Sequence, residues 1–106
     1  MVKWTRHART QLRDIHDYIA RDSRFYAKCV ADALTARTDG LDELPRKGRV
    51  VPELNLDTVR ELPEFSWRIL YEIRSEGKPA HIEVLAVIHK RRDLLPDEIP
   101  HGELDL

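Results

Sequence analysis

Apolar positions recur at helical spacing up to about residue 44, and from residue 59 onward they alternate. Val2-Lys3-Trp4-Thr5 predicts a short first strand. From about Arg6, the residues Ala8, Leu12, Ile15 and Ile19 step by four, three and four, so they share one helical face. Arg9, Arg13, Asp14, Asp17 and Arg21 fall between them and suit the wet face. Asp22 and Ser23 can end this helix and cap the next. The spacing of Ala27, Val30, Ala31, Leu34, Leu41 and Leu44 predicts a second helix from about Ser23 to Leu44, with Gly40 as its weak point. So short a join makes the two helices an antiparallel hairpin.

Pro45-Arg46-Lys47-Gly48 reads as a turn, and Val50 to Asn55 as extended or looped chain, since Pro52 argues against a central strand. Val59-Arg60-Glu61-Leu62 predicts a strand ended by Pro63. In Trp67 to Arg74, alternation puts Trp67, Ile69, Tyr71 and Ile73 on one face and Arg68, Leu70, Glu72 and Arg74 on the other. Ser75 to Pro79 forms a hairpin loop. In Ala80 to His89, Ile82, Val84, Ala86 and Ile88 oppose Glu83, Leu85, Val87 and His89; apolar residues on both faces predict a central strand. The order β-α-α-β-β-β is that of an α+β domain, an antiparallel sheet with an N-terminal helical hairpin packed on one face.

A length of 106 residues allows one domain, which can bury a core without disulfides or metal. The lone cysteine, Cys29, excludes an internal disulfide and suits a reducing compartment; its place beside the apolar stripe of the second helix predicts a small packed or half-buried residue. No apolar run approaches the ~20 residues that span a bilayer, and the charged N-terminal sequence is unlike a secretory signal. A cytoplasmic protein with no membrane partner is expected. All 18 Lys and Arg lie at or before Arg92, while five of the 19 acidic residues fall between Asp93 and Leu106, so a body of +4 precedes a tail of −5. Arg outnumbers Lys by 13 to 5, and the planar guanidinium fork suits phosphate and carboxylate partners.

The chain has no GxxxxGK[ST], GxGxxG or HExxH motif, and His7, His16, His81, His89 and His101 show no metal-ligand spacing with one another or with Cys29. Neither cofactor nor metal is expected. The candidate chemistry lies in the C-terminal half. If the strand faces coincide, Arg60, Arg68 and His89 converge on the sheet surface that the helices leave open. Two guanidiniums can clamp a phosphodiester and stabilise developing charge, and an imidazole with a pKa near ~6.5 can exchange a proton. The structural alternative pairs Arg60 and Arg68 with Glu61, Glu64, Glu72 or Glu83 and ends a strand at His89. Lys90-Arg91-Arg92 is a further basic cluster, or a solvated strand end that blocks edge pairing.

These segments, in this order, resemble the RelE/ParE superfamily of type II toxin–antitoxin toxins over nearly the whole chain. The resemblance is carried by Trp4-Thr5 before Ala8-x3-Leu12-x2-Ile15-x2-Tyr18-Ile19-Ala20, and by Gly48-Arg49-x2-Pro52-Glu53-Leu54. It continues in Val59-Arg60-Glu61-Leu62, Trp67-Arg68-Ile69-Leu70-Tyr71-Glu72-Ile73 and Val84-Leu85-x-Val87-Ile88-His89-x-Arg91-Arg92-Asp93-Leu94. The resemblance implies a single toxin domain over residues 1–95, followed by an acidic tail over 96–106. It also implies a cognate antitoxin that wraps the toxin and carries the contact with operator DNA.

The superfamily divides by target. The Ile-His-x-Arg-Arg ending and the Tyr-Glu-Ile strand resemble the ParE side, which implies a non-enzymatic inhibitor of DNA gyrase, of the kind associated with plasmid stabilisation. Arg60, Arg68, Lys90, Arg91 and Arg92 would then serve target or antitoxin binding. The alternative is a RelE-like mRNA endoribonuclease acting on the ribosome, with Arg60 and Arg68 as phosphate clamps and His89 as acid/base. A third reading is an inactive member that acts only with its antitoxin in repression. Tyr18, Phe25 and Tyr26 either pack within the core or the helical hairpin or, where exposed, would lie under an antitoxin helix. The tail is either a solvated terminus or a self-inhibiting cover over the basic sheet face, in which case its deletion after Leu95 raises toxicity.

Overall fold

The computed structural model describes residues 1–92 and 94–99. It contains β1 (Val2–Trp4), α1 (Arg6–Ala20), α2 (Arg24–Arg37), β2 (Arg49–Val50), β3 (Val59–Glu64), β4 (Trp67–Ser75), β5 (His81–His89) and a 3-10 turn at Pro96–Glu98. Each helix begins at a hydroxyl cap, as expected where a short polar side chain can satisfy an orphan amide. The Thr5 oxygen accepts the Ala8 N–H at 3.2 Å, and the Ser23 oxygen accepts the Tyr26 N–H at 3.1 Å. The Thr5 hydroxyl also donates to the Val84 carbonyl at 2.9 Å, which ties the start of α1 to β5.

The second helix stops at Arg37, seven residues short of the expected Leu44. Thr38 caps it, and Gly40 adopts φ = 83°, a left-handed conformation that glycine takes without a Cβ penalty. Leu41 still reaches the core from the following turns, whereas Leu44 is exposed. Cys29 is exposed on α2 and is not packed as expected.

The sheet order is β1-β5-β4-β3-β2. The sheet is mixed: β1 runs parallel to β5 and every other neighbour pair is antiparallel, so the expectation of an all-antiparallel sheet holds for four of its five strands. The interior place of β5 between β1 and β4 agrees with its apolar run. One face of the sheet packs on the helices through Leu62, Ile69, Tyr71, Ile73, Ile82 and Val84, which meet Ala8, Val30 and Leu34. Hydrophobic spacing on α1 and β4 therefore predicted the right faces.

On β5 it did not. Leu70 pairs with Ala86 but Tyr71 pairs with Val84, so Leu85 is an extra residue facing no partner. A bulge of this kind sets two residues against one and reverses the alternation beyond it. Val87 accordingly packs with the helix-side core, and Leu85 and Ile88 join the opposite one. The Gln11 side-chain oxygen accepts the Val87 N–H at 2.8 Å, supplying from α1 a bond to the strand beside the bulge.

The second sheet face was expected to be open and cationic. It carries instead a second apolar layer: Leu70, Leu85, Ala86 and Ile88 lie under Val51 and Leu54 from the loop after β2, and under Leu94 and Ile99 from the chain after β5. Part of the expected tail is thus built into the core, and residues 100–106 lie outside the described residues.

Candidate functional site

At the edge of this second layer, Arg49 of β2, Pro52 and Glu53 of the following loop, Glu61 and Pro63 of β3, Arg68 of β4 and Lys90 line a cleft of about 650 Å³. Arg68 is its centre. Its two Nη atoms each lie 2.8 Å from a Glu53 carboxylate oxygen. Its Nε and Nη2 reach Glu61 Oε1 at 3.0 and 2.5 Å, and Nη1 donates to the Arg92 carbonyl at 3.3 Å. The other oxygen of Glu61 accepts from Arg49 Nε and Nη2 at 2.7 and 2.6 Å. Glu61 is 2% exposed and Arg68 7%, so the two carboxylates and the buried guanidinium satisfy one another out of water.

The electrostatics follow from these contacts. The hydrogen bonds from Arg68 hold the Glu53 carboxyl down at about 2, against the opposing effect of burial, with the Leu94 N–H adding a smaller contribution. The same pairing raises Arg68 above its ordinary value. Arg68 therefore presents no unoccupied donor edge for a phosphate. The exposed cations at the cleft are Arg49, which reaches in from the rim, and Lys90.

Arg60, Arg68 and His89 do not converge. Arg60 lies opposite Tyr71 and so belongs to the helix side of the sheet. There its guanidinium braces the loop, donating to the Asp57 carbonyl at 2.9 Å, the Gly48 carbonyl at 2.8 Å and Asp57 Oδ1 at 2.7 Å. The β5 bulge turns His89 to that side as well, where its ring meets Trp67 edge-on at 6.5 Å and its Nδ1 accepts the Arg91 N–H at 3.1 Å. Arg68 is alone of the three on the far face. In the Lys90-Arg91-Arg92 cluster, Arg92 pairs with Glu98 at 3.1 Å, while Lys90 and Arg91 are exposed and make no ion pair among the described residues.

The expected Arg68–Glu61 pair forms, but Arg60 turns to Asp57 and not to a strand glutamate. Glu53 was missed because it lies on a loop with no periodicity. Its only signal was that Arg68, a buried guanidinium with more donors than Glu61 can satisfy, needs a second carboxylate. Among the described residues no group of His, Cys, Asp and Glu is placed to hold a metal ion. Tyr18, Phe25 and Tyr26 are all exposed, at 72%, 79% and 53%, where the two helices join. Among the described residues no helix is long and apolar enough to cross a membrane.

A helical hairpin on a small mixed sheet, with β1 parallel to a bulged central strand, is the architecture of a RelE/ParE-type toxin. A family model described as the ParE toxin of type II toxin–antitoxin system, parDE, matches residues 2–94, and the chain belongs to that family. It is a ParE-like type II toxin. Among solved structures it resembles a chain of the chromosomal ParDE toxin–antitoxin system from P. aeruginosa, with a TM-score of 0.65 and 20% identity over 83% of this chain and 92% of that one. At that identity the likeness concerns the fold. No curated protein matches the chain.

Proposed function

We propose that this chain poisons DNA gyrase by binding it, in the cytoplasm, and that a cognate antitoxin neutralises it. The observation that carries the reading is the occupancy of Arg68. A ribonuclease built on Arg60, Arg68 and His89 needs guanidiniums open to phosphate and an imidazole on the same face. Here Arg68 is saturated by two carboxylates, Arg60 braces a loop, and His89 stands on the other side of the sheet. That arrangement supports a binding module over an mRNA endonuclease.

The surfaces available for partners are of two kinds. The exposed aromatic end of the helical hairpin suits the apolar face of a partner helix. The cleft rim, with Arg49, Lys90 and neighbouring Arg91, suits acidic side chains. The test combines purified chain, DNA gyrase, supercoiled plasmid and ATP, with denaturation to reveal linear DNA trapped on the enzyme. Trapped linear DNA that disappears on adding antitoxin supports the proposal. Undiminished supercoiling at a large excess of the chain overturns it, and cleavage of mRNA on ribosomes then becomes the activity to measure.

A further inference from the structure

Helix α1 carries a second basic feature that neither the core nor the cleft accounts for. The side chains of Arg6, Arg9 and Arg13 are exposed, and their guanidiniums make no ion pair or hydrogen bond among the described residues. At about 100° per residue they fall within roughly 60° of arc, turned about 100° to 160° away from buried Ala8. The ridge ends one turn later at Asp17, whose carboxylate is already engaged by His16 at 3.0 Å.

The placement is unfavourable for the helix by itself. Arg6 and Arg9, and Arg9 and Arg13, are like-charge neighbours at three- and four-residue spacing, which repel. All three sit in the first half of the helix, where the macrodipole favours anions, and the first turn holds no acidic residue to relieve them. A segment that breaks local rules without compensation inside the fold points to a ligand outside it. The missing partner is an anion that meets three guanidiniums in a row.

We infer that this ridge is a contact surface for the phosphate backbone of duplex DNA. From Arg6 to Arg13 the helix rises about 10 Å, so the three guanidiniums present a row of cations that can reach successive phosphates of a duplex backbone. All three cations are arginine, whose fork engages phosphate oxygens in pairs. The contact is sequence-independent, since it touches no base edge. It gives the chain a hold on DNA of its own, in place of the expected contact through an antitoxin alone. It does not depend on gyrase being the target.

The test is fluorescence anisotropy of the purified full chain with a duplex of about 20 base pairs, titrated at salt concentrations from about 50 to 200 mM. Three phosphate contacts predict a log–log slope near −2.7, which is about a 40-fold loss of affinity over that range. Arg6→Gln, Arg9→Gln and Arg13→Gln together should remove most of the slope, with helix content checked by circular dichroism. Arg6→Lys, Arg9→Lys and Arg13→Lys together should keep most of it. Arg21→Gln with Arg24→Gln, outside the ridge, should leave it unchanged. Absence of binding at the lowest salt overturns the inference, as does a slope that survives the triple glutamine variant. Equal affinity for poly-glutamate would assign the ridge to an acidic protein partner and would also overturn it.

Discussion

Arg68 and Glu53 meet as a two-bond fork, both Nη atoms lying 2.8 Å from the carboxylate oxygens, and this pair links the loop after β2 to the start of β4. The Leu94 N–H lies 3.4 Å from the same Glu53 carboxylate, so the pair also anchors the chain that follows β5. An arginine that looks from the sequence like a phosphate clamp is here the hub of a structural network.

The first prediction concerns pH. Glu53 titrates at about 2 in the folded chain against an ordinary 4.5. Between those values the unfolded chain binds more protons, so stability rises with pH through that window. The contribution of Glu53 is fully present above about pH 4.5 and is lost as pH falls toward 2. With allowance for an open cleft it amounts to about 2 kcal/mol. Urea unfolding of wild type and Glu53→Gln at pH 7 and at about pH 2.5 measures it. The variant should be destabilised at neutral pH, and the gap between the two proteins should close in acid. A gap that persists at low pH would show that the pair is not what holds the loop.

A second prediction concerns Gly48 and Tyr71. The Tyr71 hydroxyl accepts the Gly48 N–H at 2.9 Å and donates to the Pro45 carbonyl at 2.6 Å, fixing the loop that leads from α2 into β2. A Cβ on Gly48 would lie 2.5 Å from the Glu61 carbonyl and 2.9 Å from the Tyr71 ring. The carbonyl belongs to the β3 backbone and cannot give way cheaply. Gly48→Ala should therefore cost about 3 kcal/mol. Tyr71→Phe, which strands the buried Gly48 N–H and frees the part-buried Pro45 carbonyl, should cost about 1–3 kcal/mol. Chemical denaturation of both variants checks this, and a neutral Gly48→Ala would contradict the packing described.

A third prediction follows from the bulge. Gln11 donates nothing to the core but supplies the acceptor for the Val87 N–H. Gln11→Leu keeps the helix and adds apolar volume, yet leaves that amide without its partner. A loss of about 1–3 kcal/mol is expected, together with faster hydrogen exchange at Val87. Unchanged exchange at Val87 would mean that the bulge is held by the strand pairing alone.

How much of this was legible depended on whether a local period stayed intact. The α1 face was readable because Ala8, Leu12, Ile15 and Ile19 keep strict spacing and the helix is capped by Thr5. The end of α2 was not, because Leu41 continues the helical spacing while Gly40 has already turned the chain out of the helix. The side taken by His89 was misread for a related reason. Leu85 is apolar, as are the residues around it, so nothing in the run of β5 marks it as the extra residue. Half of the Arg68 network was readable as strand pairing with Glu61. The other half, Glu53, comes from a loop whose position depends on tertiary packing of Val51 and Leu54.

The last prediction separates the two readings of the acidic tail. As a self-inhibiting cover, the tail would be removed by truncation after Leu95 with a gain in toxicity. The structure gives that truncation a cost. It deletes Ile99, which is 2% exposed within the second apolar layer, and Glu98, which pairs with Arg92 and accepts the Leu95 N–H at 3.1 Å. Loss of one buried isoleucine from a partly collapsible layer should lower stability by about 2–4 kcal/mol. Ile99→Ala in the full-length chain should reproduce most of that loss while leaving the tail's charge in place. Growth inhibition should therefore fall in both variants, in step with the melting temperature and the soluble yield. A truncated chain that is as stable as wild type and more toxic would restore the self-inhibiting reading and remove Ile99 from the core's account.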